Sequence, residues 1–286
     1  MAGEITRVGV VGLGTMGAGI AQVCAQAGFE TVGVEVTDEL GAKARERIGY
    51  YLGRSVEKER MTAEERDAAL ARLTTTTARA DLARCDLVIE AIVEDLGAKR
   101  ELVHELDGIL EPDAIVASNT SALSVTEIAR ASAHPERVVG MHFFNPAPVL
   151  PLVEVVRTEL AAEEPYERAY AFAAALGKEP VRCSDTPGFI VNRILIPLLN
   201  DCVRVLDEAG VSPDDLDRAM RFGAGWPIGP CALVDLIGVD IHVHASEALH
   251  AALGEARMAP PERLVRMQAE GKLGRKTGEG FFTYAS

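Results

Sequence analysis

His142 closes the apolar run Val138-Val139-Gly140-Met141, and Glu154 comes twelve residues later inside Leu152-Val153-Glu154-Val155. A histidine exchanges protons near neutral pH, which suits removal of a hydroxyl proton while hydride leaves a secondary alcohol. A carboxylate brought against the second ring nitrogen fixes the tautomer and stabilises the imidazolium. A lone histidine is more often structural, and two features set this one apart. His142 ends a strand-like run, and an acid lies one short return away.

Hydride transfer needs an acceptor, and the N-terminal stretch carries the pattern for one. The run Val8-Gly9-Val10-Val11 enters Gly12-Leu13-Gly14-Thr15-Met16-Gly17, and apolar residues continue at helical spacing through Ile20, Val23, Cys24 and Ala27. This is strand, tight turn and helix. Gly12 permits the turn, Gly14 lets backbone approach a pyrophosphate, and Gly17 lets helix and strand pack closely. The backbone N–H groups at Thr15 and Met16 then belong to a helix N-terminus whose dipole favours phosphate. A second run, Thr31-Val32-Gly33-Val34, ends in Glu35, eighteen residues beyond Gly17. A carboxylate there accepts from ribose hydroxyls and repels a 2′-phosphate, and its neighbours Val36 and Thr37 are neutral. The expected cofactor is NAD rather than NADP.

These residues need a scaffold with its ligand side at one end. Strands recur at residues 86–91, 114–118 and 138–142, with helix-period segments at 96–110 and 124–133 between them. The alternation predicts an α/β fold of Rossmann type, with a doubly wound parallel sheet that binds ligands beyond the carboxyl ends of its strands. Residues 37–73 read as an inserted helical hairpin turning near Thr62, an N-cap candidate. Strand alternation stops near Ser184-Asp185-Thr186-Pro187, and the rest of the chain is mainly helical. The expected domains are 1–184, binding the dinucleotide, and 185–286, helical. His242 and His244 read as helix surface.

At 286 residues the chain suits two domains. With 29 basic and 43 acidic residues its net charge is −14, which argues against a nucleic-acid surface. No run reaches the length of a membrane span and no leader pattern stands at the start, so a cytoplasmic protein without membrane contact is expected. The five cysteines are an odd number without a Cys-x-x-Cys pair, and no metal site is expected.

Taken together, these stretches resemble the 3-hydroxyacyl-CoA dehydrogenase family, especially its short bacterial 3-hydroxybutyryl-CoA dehydrogenases, over nearly the whole chain. The resemblance rests on the glycine turn, Glu90-Ala91-Ile92-Val93-Glu94, Ser118-Asn119-Thr120-Ser121, and His142-Phe143-Phe144-Asn145-Pro146. Leu152-Val153-Glu154-Val155, the segment from Asp185 to Arg193, and Gly274 to Phe281 complete it. It implies that His142 and Glu154 are the catalytic pair and that Ser121 and Asn192 polarise the substrate. It also implies that Glu94, Lys99, Ser121, Asn145 and Lys276 contact NAD. Read as bare residues, Ser121 is alternatively a helix N-cap and Glu94 with Lys99 equally a surface pair; Asn192 is alternatively a buried amide, but the propensity cost of Asn inside a helix favours a ligand role. The substrate implied is a short (3S)-3-hydroxyacyl-CoA, and a homodimer through the C-terminal domain is implied by the same likeness. A same-fold dehydrogenase of a free or carrier-linked hydroxy acid, or a non-catalytic crystallin-like protein, are the competing readings. The chain departs from the family pattern at Ala122, Pro151 and Cys231.

Arg54 and Lys58 on the hairpin stand out in an acidic chain, either as solvated helix faces or as ligands of the CoA phosphates. In the second case Arg54→Ala with Lys58→Ala raises KM for acetoacetyl-CoA more than it lowers kcat, since contacts remote from the reacting carbon bind ground and transition states alike. Added salt mimics the effect. An unchanged KM in steady-state assays places the phosphates elsewhere.

Overall fold

The structure, a computed structural model, describes residues 4–284. The chain divides into two compact units between Thr186 and Pro187.

The first unit is a sheet of eight strands flanked by helices. Its first half runs β1 (Arg7–Val11), α1 (Thr15–Gln26), β2 (Glu30–Val34), α2 (Asp38–Glu57), α3 (Ala63–Arg72), β3 (Leu73–Thr76), β4 (Leu87–Glu90) and α4 (Leu96–Asp107). The second half runs β5 (Ile115–Ser118), α5 (Val125–Ala129), β6 (Val138–Phe143), β7 (Leu152–Arg157), α6 (Glu163–Ala175) and β8 (Glu179–Ser184). The sheet order is β3-β2-β1-β4-β5-β6-β7-β8. The order reverses at β1, where β2 lies on one side and β4 on the other. Such a switch point opens the crevice that dinucleotides occupy in this architecture.

Burial follows the two-residue period of the strands. Val8 and Val10, Leu87 and Ile89, and Ile115 and Ala117 pack on one face of the sheet against α1, α2 and α6. Val11, Val88 and Val116 pack on the other face with Leu102, Val103 and Leu106 of α4. Both faces are covered, which is why the central strands read as unbroken apolar runs. The hairpin of α2 and α3 is fixed at its turn by Thr62, whose hydroxyl accepts from Glu65 N (3.1 Å) while the Glu65 carboxylate accepts from Thr62 N (2.7 Å). Such a reciprocal cap is worth about 1 kcal/mol.

Two features of the sheet differ from the sequence expectation. Leu73–Thr76 is a strand, parallel to β2, where the sequence reading ends its helical segment at Leu73 and assigns no strand. Its run of threonines was the local signal, because β-branched side chains favour the pleated backbone. The sheet is also not parallel throughout. β7 runs antiparallel to β6, and β8 is parallel to β7. Only residues 144–151 connect β6 to β7, too few for the crossover a parallel neighbour demands.

The second unit is helical: α7 (Val191–Ala209), α8 (Pro213–Gly223), α9 (Pro230–Ile237), α10 (Val239–Leu253) and α11 (Glu262–Ala269). Leu199, Val203, Val234, Val239, Val243 and Leu264 make its central cluster. His242 lies inside this unit and not on its surface, 0% exposed. Its Nε2–H donates to Asn200 Oδ1 (2.8 Å), and the Asn200 amide donates to Ser246 Oγ (3.2 Å) and Met258 O (3.2 Å). Among the described residues nothing partners His242 Nδ1. The sequence misled here because polar neighbours on α10 hide one inward position.

Burial pushes the His242 imidazole down to about 4 from 6.5. The folded state therefore resists a proton that the unfolded chain accepts, so stability is complete above pH 6.5 and falls as pH drops toward 4. Between pH 7.5 and pH 5 this one group is expected to remove about 2 kcal/mol. Urea denaturation of the wild type and of His242→Gln at both pH values reads the difference. Parallel losses in the two proteins would refute the assignment.

Candidate active site

The glycine turn between β1 and α1 has geometry that only glycine satisfies at two positions. Gly12 has φ +84°, and a side chain there would meet the Ala91 carbonyl at 2.8 Å. At Gly17 an added Cβ would lie 1.7 Å from Gly12 O, so helix and turn could not close. Gly14 is different. It is the N-cap of α1, no side chain caps the helix, and a Cβ there would meet nothing within 4 Å. The space above Gly14 is open, and the N–H groups of Thr15, Met16 and Gly17 begin the helix there.

Two side chains fix this turn from outside. Glu35 accepts from Leu13 N (2.7 Å) with one oxygen and from Val36 N (2.9 Å) with the other. Arg47 of α2 donates to Leu13 O and Gly14 O, both at 2.9 Å. Each carboxylate oxygen of Glu35 has the capacity to accept a second hydrogen bond, so ribose hydroxyls can join the two amides. An uncapped helix N-terminus, open space over Gly14 and an acid at the end of β2 fit a dinucleotide.

β6 and β7 bring the histidine and its acid together. In their antiparallel register His142 lies directly opposite Glu154, so both side chains leave the sheet on the same face. His142 Nδ1 and Glu154 Oε2 are 2.7 Å apart, with exposures of 5% and 0%. An ionised carboxylate only accepts, so Nδ1 carries the hydrogen and proton exchange falls to Nε2. The Phe144 ring lies 4.4 Å from the imidazole, centroid to centroid. Asn119 Oδ1 accepts from Phe143 N (2.9 Å), tying the end of β6 to the loop after β5. Behind the acid, burial together with the charges of Glu154 and Asp185 pushes the Cys183 thiol up to about 12, so it adds no charge there.

Glu94 and Lys99 are not a surface pair. Lys99 is 1% exposed, and its Nζ bonds both oxygens of Glu90 (2.9 and 2.8 Å) and approaches Glu94 Oε2 (3.3 Å). Ser118 Oγ also donates to Glu90. The other Glu94 oxygen, Oε1, collects Thr120 Oγ1 (2.7 Å), Ser121 N (2.8 Å), Ser121 Oγ (3.3 Å) and Ala122 N (3.2 Å). Burial raises the Glu90 carboxyl, with Lys99 and Ser118 opposing. Burial acts on Glu94 in the same direction, but the Lys99 charge and the Thr120 and Ser121 bonds bring it below its ordinary value. A buried ammonium thus holds the carboxylate that shapes the Ser121 loop.

Asn145, also expected at the site, is exposed just beyond β6. Arg54 is paired with Glu57 (2.9 Å), and Lys58 ends α2 as its C-cap. In the second unit Asn192 lies in the first turn of α7, so the helix-interior cost that favoured a ligand role does not apply to it. Lys276 Nζ is 2.6 Å from Asp240 in the same unit. Sequence reasoning missed Asp185, whose carboxylate accepts from Ser124 Oγ (2.8 Å), Val125 N (3.1 Å) and Thr126 N (2.7 Å) and so anchors the start of α5. It missed the bracing roles of Arg47 and Asn119 as well. Partners so far apart along the chain leave no local signal.

Among the described residues no helix is long and apolar enough to cross a membrane. Residues 7–186 match the family model described as 3-hydroxyacyl-CoA dehydrogenase, NAD binding domain, and residues 188–284 match the one described as 3-hydroxyacyl-CoA dehydrogenase, C-terminal domain. The chain is 45% identical to a 3-hydroxybutyryl-CoA dehydrogenase of Mycobacterium tuberculosis, across 99% of this chain and 100% of that protein. It is 42% identical to the mitochondrial hydroxyacyl-coenzyme A dehydrogenase of Homo sapiens, across 98% of this chain and 91% of that one. Among solved structures, the (S)-3-hydroxybutyryl-CoA dehydrogenase of Ralstonia eutropha superposes with a TM-score of 0.95 at 40% identity, covering 99% of this chain and 100% of that one.

Removing the ammonium tests the buried cluster. Lys99→Met leaves Glu90 without its counter-charge, an expected loss of about 3–5 kcal/mol in urea denaturation. Glu90 then takes up a proton on folding, so the deficit is larger at pH 8 than at pH 5. Adding Glu90→Gln recovers part of it. A Lys99→Met protein of unchanged stability would rule out the cluster as a structural support.

Proposed function

The chain belongs to the 3-hydroxyacyl-CoA dehydrogenase family, and from that premise we propose that it interconverts a short-chain (3S)-3-hydroxyacyl-CoA and its 3-oxoacyl-CoA with NAD. The observation that carries the reading is the buried contact between His142 Nδ1 and Glu154 at the ligand end of the sheet. NAD supplies the hydride acceptor. His142 Nε2 takes the hydroxyl proton as the C3 hydride departs, and returns it to the oxygen in reduction. Glu154 keeps the imidazole in the required tautomer and stabilises its charged form. Ser121, whose backbone N–H is held by Glu94, turns its hydroxyl proton from that carboxylate to the substrate oxygen, and Asn192 is assigned the same polarising task by its motif. The turn from Gly12 to Gly17 with Glu35 takes the adenosine and pyrophosphate half of the cofactor. Asn145, Lys276, Glu94 and Lys99 support its remainder, and Arg54 with Lys58 is the candidate surface for the CoA phosphates.

Exposed apolar side chains on the helical unit, among them Ile194, Phe222, Leu236 and Ile241, support a homodimer through that unit, acting in the cytoplasm. NADH oxidation with acetoacetyl-CoA beside free acetoacetate tests the substrate class. Equal efficiency with the free acid would overturn the CoA reading.

His142→Gln is expected to lower kcat by roughly 100- to 10,000-fold while NADH still binds, because the glycine turn is untouched. Glu154→Gln keeps the shape and removes the charge. Its kcat falls too, and the acid limb of 3-hydroxybutyryl-CoA oxidation moves to lower pH, because the imidazolium without its carboxylate gives up a proton more readily. A normal kcat with an unmoved limb would make Glu154 a sheet residue only.

A further inference from the structure

Beyond the carboxyl ends of β1 and β2 the first unit forms a half-open pocket of about 510 Å³. Gly12, Glu35 and Val36 line it on one side, and Arg79, Glu105 and Ile109 on the other. Because it begins at the glycine turn and includes the acid of β2, it is the space for the adenosine of NAD. This assignment rests on the function proposed above.

Among the described residues Arg79 is the one cation lining the cavity, and it has no part in that function. It lies in the 3₁₀ turn Arg79–Leu82 that comes after β3, and it forms an ion pair with Glu105 of α4. The turn is ordered by its own bonds, Thr76 Oγ1 to Asp81 (2.7 Å) and Ala78 N to Thr76 Oγ1 (3.0 Å). The guanidinium is therefore presented on a fixed base, 26 residues from its partner and on a separate element.

An arginine beside the adenosine ribose is the usual recognition device for a 2′-phosphate, since its fork matches phosphate oxygens. Here the cavity instead holds two carboxylates and one guanidinium that is already engaged. We propose that Glu105 is a specificity-determining residue, which secures NAD over NADP by occupying Arg79. Glu35 repels the 2′-phosphate directly, while Glu105 withdraws the group that would attract it. Discrimination therefore has two parts, and neutralising Glu35 alone removes only one of them.

Equilibrium binding tests this without turnover. Dissociation constants for NADH and NADPH are measured by nicotinamide fluorescence, and for adenosine 2′,5′-bisphosphate by calorimetry. The proteins are the wild type, Glu105→Gln, Glu105→Gln with Arg79→Ala, and Ala80→Trp. The Arg79–Glu105 pair is half exposed and such pairs contribute little to stability, and Ala80 is exposed, so the variants are expected to fold. Glu105→Gln is expected to tighten NADPH and the bisphosphate roughly tenfold, with far less change for NADH. Adding Arg79→Ala abolishes the gain. Unchanged NADPH affinity in Glu105→Gln, or a gain that survives Arg79→Ala, overturns the proposal. Ala80→Trp fills the cavity and is expected to weaken NADH. Unchanged NADH binding there would show that the adenosine lies elsewhere, which removes the premise; with the premise intact, only the role of Glu105 is at stake.

Discussion

The antiparallel register of β6 and β7 is the constraint on which the candidate site depends. A strand alternates its side chains between two faces, so a slip of one residue would send Glu154 to the opposite side of the sheet from His142. The register is held from both ends. Val153 and Val155 pack into the core on the face away from the pair, and Asn119 fastens Phe143 beside the histidine. A carboxylate with no exposure is stable only where its partners are fixed, and a strand of roughly 20 Å is a stiffer mount than any loop. The reversal of direction at β7 gives the acid its place. A parallel neighbour reached through a crossover helix would leave the pairing to a longer and less constrained connection.

The second buried charge system obeys different physics. Lys99 is enclosed by Glu90 and Glu94, and a group of this kind contributes little net stability compared with an apolar replacement. What it gives is position. The register sets Glu90 beside Ser118, and Lys99 projects from α4 to meet the end of the same strand. Glu94 is then oriented so that a single oxygen gathers the backbone and hydroxyl groups of residues 120–122. The loop that carries Ser121 is shaped by charges lying beneath it.

Much of this was legible in the sequence where the signal is local. The glycine turn, the acid at the end of β2, the Thr62 cap and the pairing of His142 with Glu154 can all be read from residue type and short spacing. The Rossmann-type sheet could be read from apolar runs alternating with helical periods. What escaped was decided by burial or by distant partners. Four residues of β3 were too few to show alternation, and His242 is one inward position on a helix of mixed polarity. For Glu94 and Lys99 a surface pair stayed open beside a cofactor contact, because spacing alone does not reveal which face of α4 is enclosed. Asp185 and Arg47 act on backbone groups dozens of residues away, and no local pattern encodes that.

Leu13 is gripped on both sides of its backbone, its N–H by Glu35 and its carbonyl by Arg47. The turn therefore loses its conformational entropy when the protein folds, at about 1–2 kcal/mol for each residue fixed. For the dinucleotide proposed to bind here, the turn is already held in one shape, so that loss is absent from the free energy of association. The two side chains that hold the turn come from β2 and α2. Ala44, Ile48 and Leu52 seat α2 in the hydrophobic core, so the shape of the turn and the docking of that helix are a single constraint.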